Sequence, residues 1–284
     1  MTAVRPPAVA GLFYPARHRD LAATVSDLLA EAAAESAPHP PPKAIIAPHA
    51  GYVYSGAIAA RAYALLAPLA ETVSRVVLIG PAHRVPLHGL SVPSVAAFET
   101  PLGAVPLDRE AIAALLELPH VHLGDAPHAE EHALEVHLPF LQTTLRHFRL
   151  VPLLAGDASA EVVAAALERV WGGPETLIVV SSDLSHYLDY ATARQLDAAT
   201  CASIEALDPA ALCWEQACGR VPLTGLLTLA RRRGLAVETL DLRNSGDTAG
   251  DRRRVVGYGA WALFERSPAE GTEPGEAGTG RQRS

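Results

Sequence analysis

"KAIIAPH", residues 43–49, is a short apolar run, here stopped by proline, that ends on an imidazole, and the chain twice more follows an apolar run with a sharp break and a histidine. "SRVVLIGPAH" (74–83) ends on His83, and "ETLIVVSSDLSH" (175–186) ends on Asp183 and His186. Continuous apolar runs of about four to eight residues bounded by Gly, Pro or Ser mark strands buried on both faces, as in a sheet covered by helices. Between and around these runs the apolar spacing becomes helical, over 18–35, 54–69, 109–118 and 130–148, with an interruption expected at Pro139. "DPAALCWEQACG" (208–219) predicts a further helix opened by proline. The alternation predicts an α/β fold: a single domain over 1–266 with a central, largely parallel or mixed sheet flanked by helices. Residues 267–284 are rich in Gly, Pro, Glu and small polar side chains, and are expected to form a disordered tail.

Bulk composition narrows the function classes. Of the 284 residues 49% are hydrophobic, enough for a large core, yet no apolar stretch reaches the roughly 18 residues that a membrane-spanning helix needs. A formal net charge of −8, from 31 acidic against 23 basic residues, works against a nucleic-acid partner. The basic cluster "ARRRG" (230–234) reads instead as the last turn of a helix, where cations suit the helix dipole. Three cysteines without a C-x-x-C pair argue against a disulfide framework and for free thiols in a reducing compartment. The opening "MTAVRPPAVAGLFYP" does not read as a secretory signal, so a cytoplasmic location is expected.

Ligands of open α/β sheets bind beyond the carboxyl ends of the strands, so adjacent parallel strands would bring the three breaks to one crevice. His49 taken alone reads equally well as a turn residue, and His83 likewise. As a pair on neighbouring strand ends they suit a divalent transition metal, which needs fixed imidazoles and open coordination positions. Asp183 and His186 are three apart, and in a first helical turn they would share a face, the carboxylate orienting a general acid/base. Ser182 or Asp183 could instead cap that helix. Cys218 precedes a helix start, where a thiolate is favoured, and reads as a ligand, a redox group or an inert thiol. Cys201 and Cys213 read as small buried hydrophobes. The stretch "HAEEHALEVHLP" (128–139) carries His128, His132 and His137 among glutamates but is not an H-E-x-x-H zinc motif; it is expected to wall the site rather than supply ligands.

Six ordered blocks, "APHAGYVYSG", "GPAHRVPLHG", "EEHALEVHLPFLQ", "SSDLSHY", "CGRVPLTGLL" and "NSGDTAGDRRRVVGYGA", resemble the Memo family, whose bacterial and archaeal members are called AmmeMemoRadiSam system protein B. The resemblance implies a fold like that of class III extradiol ring-opening dioxygenases, which cleave catechols with non-haem iron(II). It places His49 and His83 as metal ligands, His186 as catalytic acid/base with Asp183 in support, and Cys218 where those dioxygenases have a metal-binding carboxylate. A thiolate is a softer ligand and moves preference toward copper, zinc or a redox-active iron. The implied partners are a small phenolic substrate or a peptide, with metal handling and redox control linked to eukaryotic members and association with radical-SAM and AMMECR-type proteins implied by the prokaryotic name. Three functions follow: a metal-dependent dioxygenase-like oxidoreductase, a metal-binding or redox protein without turnover, and a peptide- or protein-interaction module. A zinc hydrolase is a fourth.

Overall fold

The computed structural model describes residues 3–34 and 39–265, so the tail expected over 267–284 lies outside the described residues. In chain order the strands are β1 (Val4–Arg5), β2 (Ala44–Ala47), β3 (Arg75–Pro81), β4 (Leu90–Val92), β5 (Ala97–Thr100), β6 (Gly103–Pro106), β7 (Val121–Leu123), β8 (Arg149–Ala155), β9 (Thr176–Ser181), β10 (His186–Leu188), β11 (Ala236–Asn244) and β12 (Val255–Phe264). The α-helices are α1 (His18–Ala34), α2 (Tyr52–Ala64), α3 (Arg109–Leu116), α4 (Ala126–Ala129), α5 (His132–Glu135), α6 (Leu138–Thr144), α7 (Ala160–Arg169), α8 (Tyr190–Glu205), α9 (Arg220–Arg233) and α10 (Ser245–Thr248).

The main sheet runs β10-β12-β2-β9-β3-β8-β4-β7, with β11 also paired to β12. It is mixed: β2, β9, β3 and β8 are parallel to one another, whereas β12 meets β2 and β4 meets β8 antiparallel. Every residue of β2 and β9 is buried, as is β3 beyond its first residue, which is why these strands carry no alternation of polar residues. Helices supply the cover. α1 packs on α2, α2 lies against β2, β11 and β12, and α9 lies against α7, β3 and β9. A small second sheet, β1-β5-β6, brings the N-terminal strand alongside the body.

The segment 130–148 is interrupted as its proline implies: it forms the short α5 and α6, with Pro139 in the first turn of α6 and Glu131 capping α5 through the Ala133 N–H. Two local expectations are corrected. No α-helix forms over 208–219. That stretch holds 3₁₀ turns at Pro209–Ala211 and Trp214–Gln216, because Asp208 and Gln216 turn their side chains onto local backbone N–H groups. Asp183 and His186 share no helical turn either. Residues 182–185 lack regular structure, His186 opens β10, and the helix begins at Tyr190 under an Asp189 cap that accepts from the Ala191 and Thr192 N–H groups.

Candidate metal centre

The three strand ends stand side by side and level. β9 lies between β2 and β3, with Ala47 opposite Ser181 and Ile79 opposite Val180. Pro48 then stops β2, and the next residue, His49, is drawn back over β9: its backbone N–H donates to Asp183 Oδ1 at 2.7 Å. Ser181 hydroxyl donates to the Ala133 carbonyl at 2.6 Å, so toward His49 Nδ1, also at 2.6 Å, it can only accept. The proton of the His49 ring therefore sits on Nδ1, and Nε2 presents its lone pair. Burial first, then the neighbouring imidazoles of His83, His132 and His137, push the His49 pKa well below the ordinary histidine value, so the ring is neutral.

His83 is fixed by Glu131. The carboxylate accepts the His83 backbone N–H at 2.5 Å and its ring Nδ1–H at 2.9 Å, which leaves Nε2 for another partner. The same oxygen also accepts the Ala133 N–H at 2.9 Å. Burial opposes the charge on Glu131, but the His132 and His83 imidazoles and the Ala133 N–H outweigh it and hold the carboxyl well below the usual range. His132, one residue on, stacks on His83 with ring centroids 4.9 Å apart and meets the edge of His49 at 5.4 Å. Its buried Nδ1 lies 3.2 Å from Glu131 Oε1 but lacks the alignment of a hydrogen bond with any group.

Among the described residues, His49, His83 and His132 form a group whose potential ligand atoms all lie within 4.8 Å of one another. Three imidazoles, two of them with Nδ1 engaged so that Nε2 is left for another partner, are the donor set that a zinc, copper or iron(II) ion takes, so the residues present fit a transition metal. His132, expected in the wall of the site, lines the cleft and also joins this group. The signal was the density of histidine and glutamate itself, but His132 reaches the site only because the helix is broken on either side of it.

Cys218 stands beside the group. Its Sγ is 3.3 Å from His49 Nε2 and 3.6 Å from the Asp183 carbonyl oxygen. Gly219 permits this approach, since a Cβ there would fall 2.5 Å from both the Ser181 carbonyl oxygen and Ser182 Cβ. Burial, with Asp183 adding to it, outweighs the Gly219 N–H at the helix start and pushes the thiol pKa well up. Asp183 is itself raised by burial, partly offset by the His49 N–H. His186 donates from Nδ1 to the Leu184 carbonyl at 2.7 Å, which leaves its Nε2 as a proton acceptor. A cleft of about 460 Å³ opens above, lined by His132, Asp183, His186, Phe13, Tyr54 and Tyr258 among others. Of the remaining named residues, His128 and His137 are buried away from it, on the Ser91 carbonyl at 3.1 Å and the Tyr63 hydroxyl at 2.7 Å.

No described helix is long and apolar enough to cross a membrane. The crystal structure of the uncharacterized protein JW3007 from Escherichia coli K12 matches with 13% identity and a TM-score of 0.49, over 77% of this chain and 98% of its own. The sequence of a MEMO1 family protein from Aquifex aeolicus is 37% identical over 269 residues, covering 90% of this chain and 97% of the relative. MEMO1 family proteins from Thermotoga maritima and Ignicoccus hospitalis are 34% and 36% identical, over 92% and 90% of this chain and 99% and 97% of theirs. The family described as Memo-like protein matches residues 5–262. The chain belongs to the Memo family.

Proposed function

We propose that the cleft is the site of a metal-dependent oxidoreductase acting on a small phenolic substrate, with non-haem iron(II) as the metal and copper or zinc as the alternatives. The observation that carries the reading is the convergence of three imidazoles on one point at the carboxyl edge of the sheet. His49 and His83 hold the metal through Nε2, and His132 and Cys218 are the two candidates to complete the set. When bound, the metal supplies Lewis acidity toward a phenolic oxygen. The chain does the rest. His186, with Nδ1 fixed on the Leu184 carbonyl, takes the phenolic proton at Nε2, and the buried carboxyl of Asp183 holds the His49 backbone in place beneath it. Phe13, Tyr54 and Tyr258 wall the cleft with rings that suit an aromatic guest.

Anaerobic purification followed by elemental analysis of the wild type, Cys218→Ala, His132→Ala and the His49→Ala/His83→Ala double variant tests the ligand set. Loss of metal from the double variant is expected, and full retention would sink the site. Oxygen uptake with a panel of catechols after iron loading tests the activity, and no uptake with iron demonstrably bound would sink the turnover. A second reading, metal holding or redox control without turnover, draws on the contact of the Cys218 thiol with His49 Nε2 at 3.3 Å. It expects Cys218→Ala to remove most metal affinity while the fold survives.

A further inference from the structure

The mouth of the cleft carries a second feature that metal binding does not use. β10 pairs with β12 through His186 and Val256, then Leu188 and Val255, with a bulge between. The bulged residue is Tyr187, held in the left-handed region at φ 62° and 63% exposed. A non-glycine residue in that conformation is strained and persists where the surrounding structure imposes it. Here the distortion turns a large aromatic side chain into the cleft beside His186, whose ring is 5.8 Å away at 73°. Over the Tyr187 ring, 5.0 Å from its centroid, lies the guanidinium carbon of Arg254, a further lining residue of the same cleft.

Arg254 differs from the arginines before it. Arg253 pairs with Asp251, and Arg252 approaches Asp247 at 3.9 Å, whereas among the described residues no carboxylate lies within ion-pair distance of Arg254. The cleft thus carries among its lining residues an imidazole and a forked cation, the Tyr187 ring lying close to both, while the lining carboxylate Asp251 is taken up by Arg253.

From this geometry we infer that Tyr187 and Arg254 form an anion subsite, which selects aromatic substrates bearing a carboxylate on the side of the ring away from the hydroxyl. The ring stacks against Tyr187, the carboxylate pairs with the Arg254 fork, and the hydroxyl is directed toward His186 and the histidine group. This rests on the reading of the cleft as a substrate site. The test is calorimetric binding of two probes that need no turnover, 4-hydroxybenzoate and the neutral 4-hydroxybenzyl alcohol, to the full chain, with metal content measured in parallel. The wild type is expected to prefer the benzoate by about tenfold, a charge-assisted pair's worth of discrimination. Arg254→Gln should abolish the preference while leaving affinity for the alcohol and the metal content unchanged. Tyr187→Gly, which suits the left-handed backbone, should weaken both probes without lowering Tm. Equal affinity of the wild type for the two probes, or equal weakening of both by Arg254→Gln, would overturn the subsite. Failure of discrimination with metal retained strikes the subsite alone, and discrimination by a protein that holds no metal strikes the metal reading alone.

Discussion

Glu131 and Glu135 are four residues apart, both buried and both fully partnered, yet they serve opposite sides of the same short turn. Glu131 faces the histidines and fixes His83. Glu135 faces the N-terminal segment: it accepts from Arg5 Nη1 at 2.6 Å, from the Ala8 and Val9 N–H groups at 2.8 and 3.0 Å, and from the Tyr14 hydroxyl at 2.5 Å. Arg5 completes the clasp by donating to the carbonyls of His128 and Glu131 at 2.6 and 2.7 Å. A helix of four residues has almost no stability of its own. The comparison shows that α5 holds His132 in place because one flank is tied to the chain's first residues and the other to the site.

The largest expected effect separates the flanks. Glu135→Ala leaves the Arg5 guanidinium, 4% exposed, without its counter-charge, and should cost about 3–5 kcal/mol in urea unfolding. Pairing Arg5→Met with Glu135→Leu should recover most of the loss, since a buried ion pair contributes little once both partners are replaced by apolar groups. A double-mutant cycle with no coupling between Arg5 and Glu135 would refute the clasp.

Acid probes the same structural flank. Burial, with a smaller contribution from Arg5, lowers the His128 pKa to about 4 from an ordinary value near 6.5, even though the Ser91 carbonyl works the other way. The unfolded chain therefore takes up this proton before the folded one does. Stability should fall as pH drops from about 6.5 to about 4, by on the order of 3 kcal/mol in total from this residue, and level off below. His128→Gln keeps a donor for Ser91 and should flatten that part of the pH profile. An unchanged acid slope in the variant would show that the imidazole is not the group responsible.

On the site flank, Glu131→Gln should preserve the fold but unfasten His83 and remove the charge beside His132. Residues that orient metal-bound imidazoles typically contribute about 10–100-fold to affinity. Chelator competition should show a loss of that size, and unchanged affinity would mean that the imidazoles are held by packing alone.

How much of this was legible before the coordinates can be argued from the same residues. The parallel strands over 44–47, 75–81 and 176–181 were legible because burial on both faces leaves an unbroken apolar signature, whereas their adjacency was a condition that the sheet order β2-β9-β3 then supplies. The convergence of His49, His83 and Asp183 was legible on that condition. The part played by Glu131 was not. Its hydrogen bond to His83 spans 48 residues, and the Asp183 contact with the His49 backbone spans 134, distances over which no spacing rule operates. The spacing of Asp183 and His186 misled because a three-residue separation suggests a helical turn, whereas the β12 pairing draws His186 into a strand. The Cys218 thiol misled because burial outweighs the helix start.

The smallest predicted effect falls on the atom that joins the two flanks. Ser181 Oγ donates to the Ala133 carbonyl and accepts from His49 Nδ1, so a single hydroxyl couples the end of β9, the α5 turn and the one fully buried imidazole of the three-histidine group. Ser181→Ala removes both bonds in a fully buried place and should cost about 1–3 kcal/mol, at the lower end if a water replaces the hydroxyl. Its second consequence is the sharper one. Without an acceptor at Nδ1, His49 loses the bias that keeps its lone pair on Nε2, so metal affinity should fall, though by less than in Glu131→Gln, where a charge is lost as well. Nitrogen NMR of the His49 ring distinguishes the two tautomers directly. A wild-type ring protonated at Nε2, or a Ser181→Ala variant with metal affinity intact, would show that β9 does not set the orientation of the site and that α5 alone holds it.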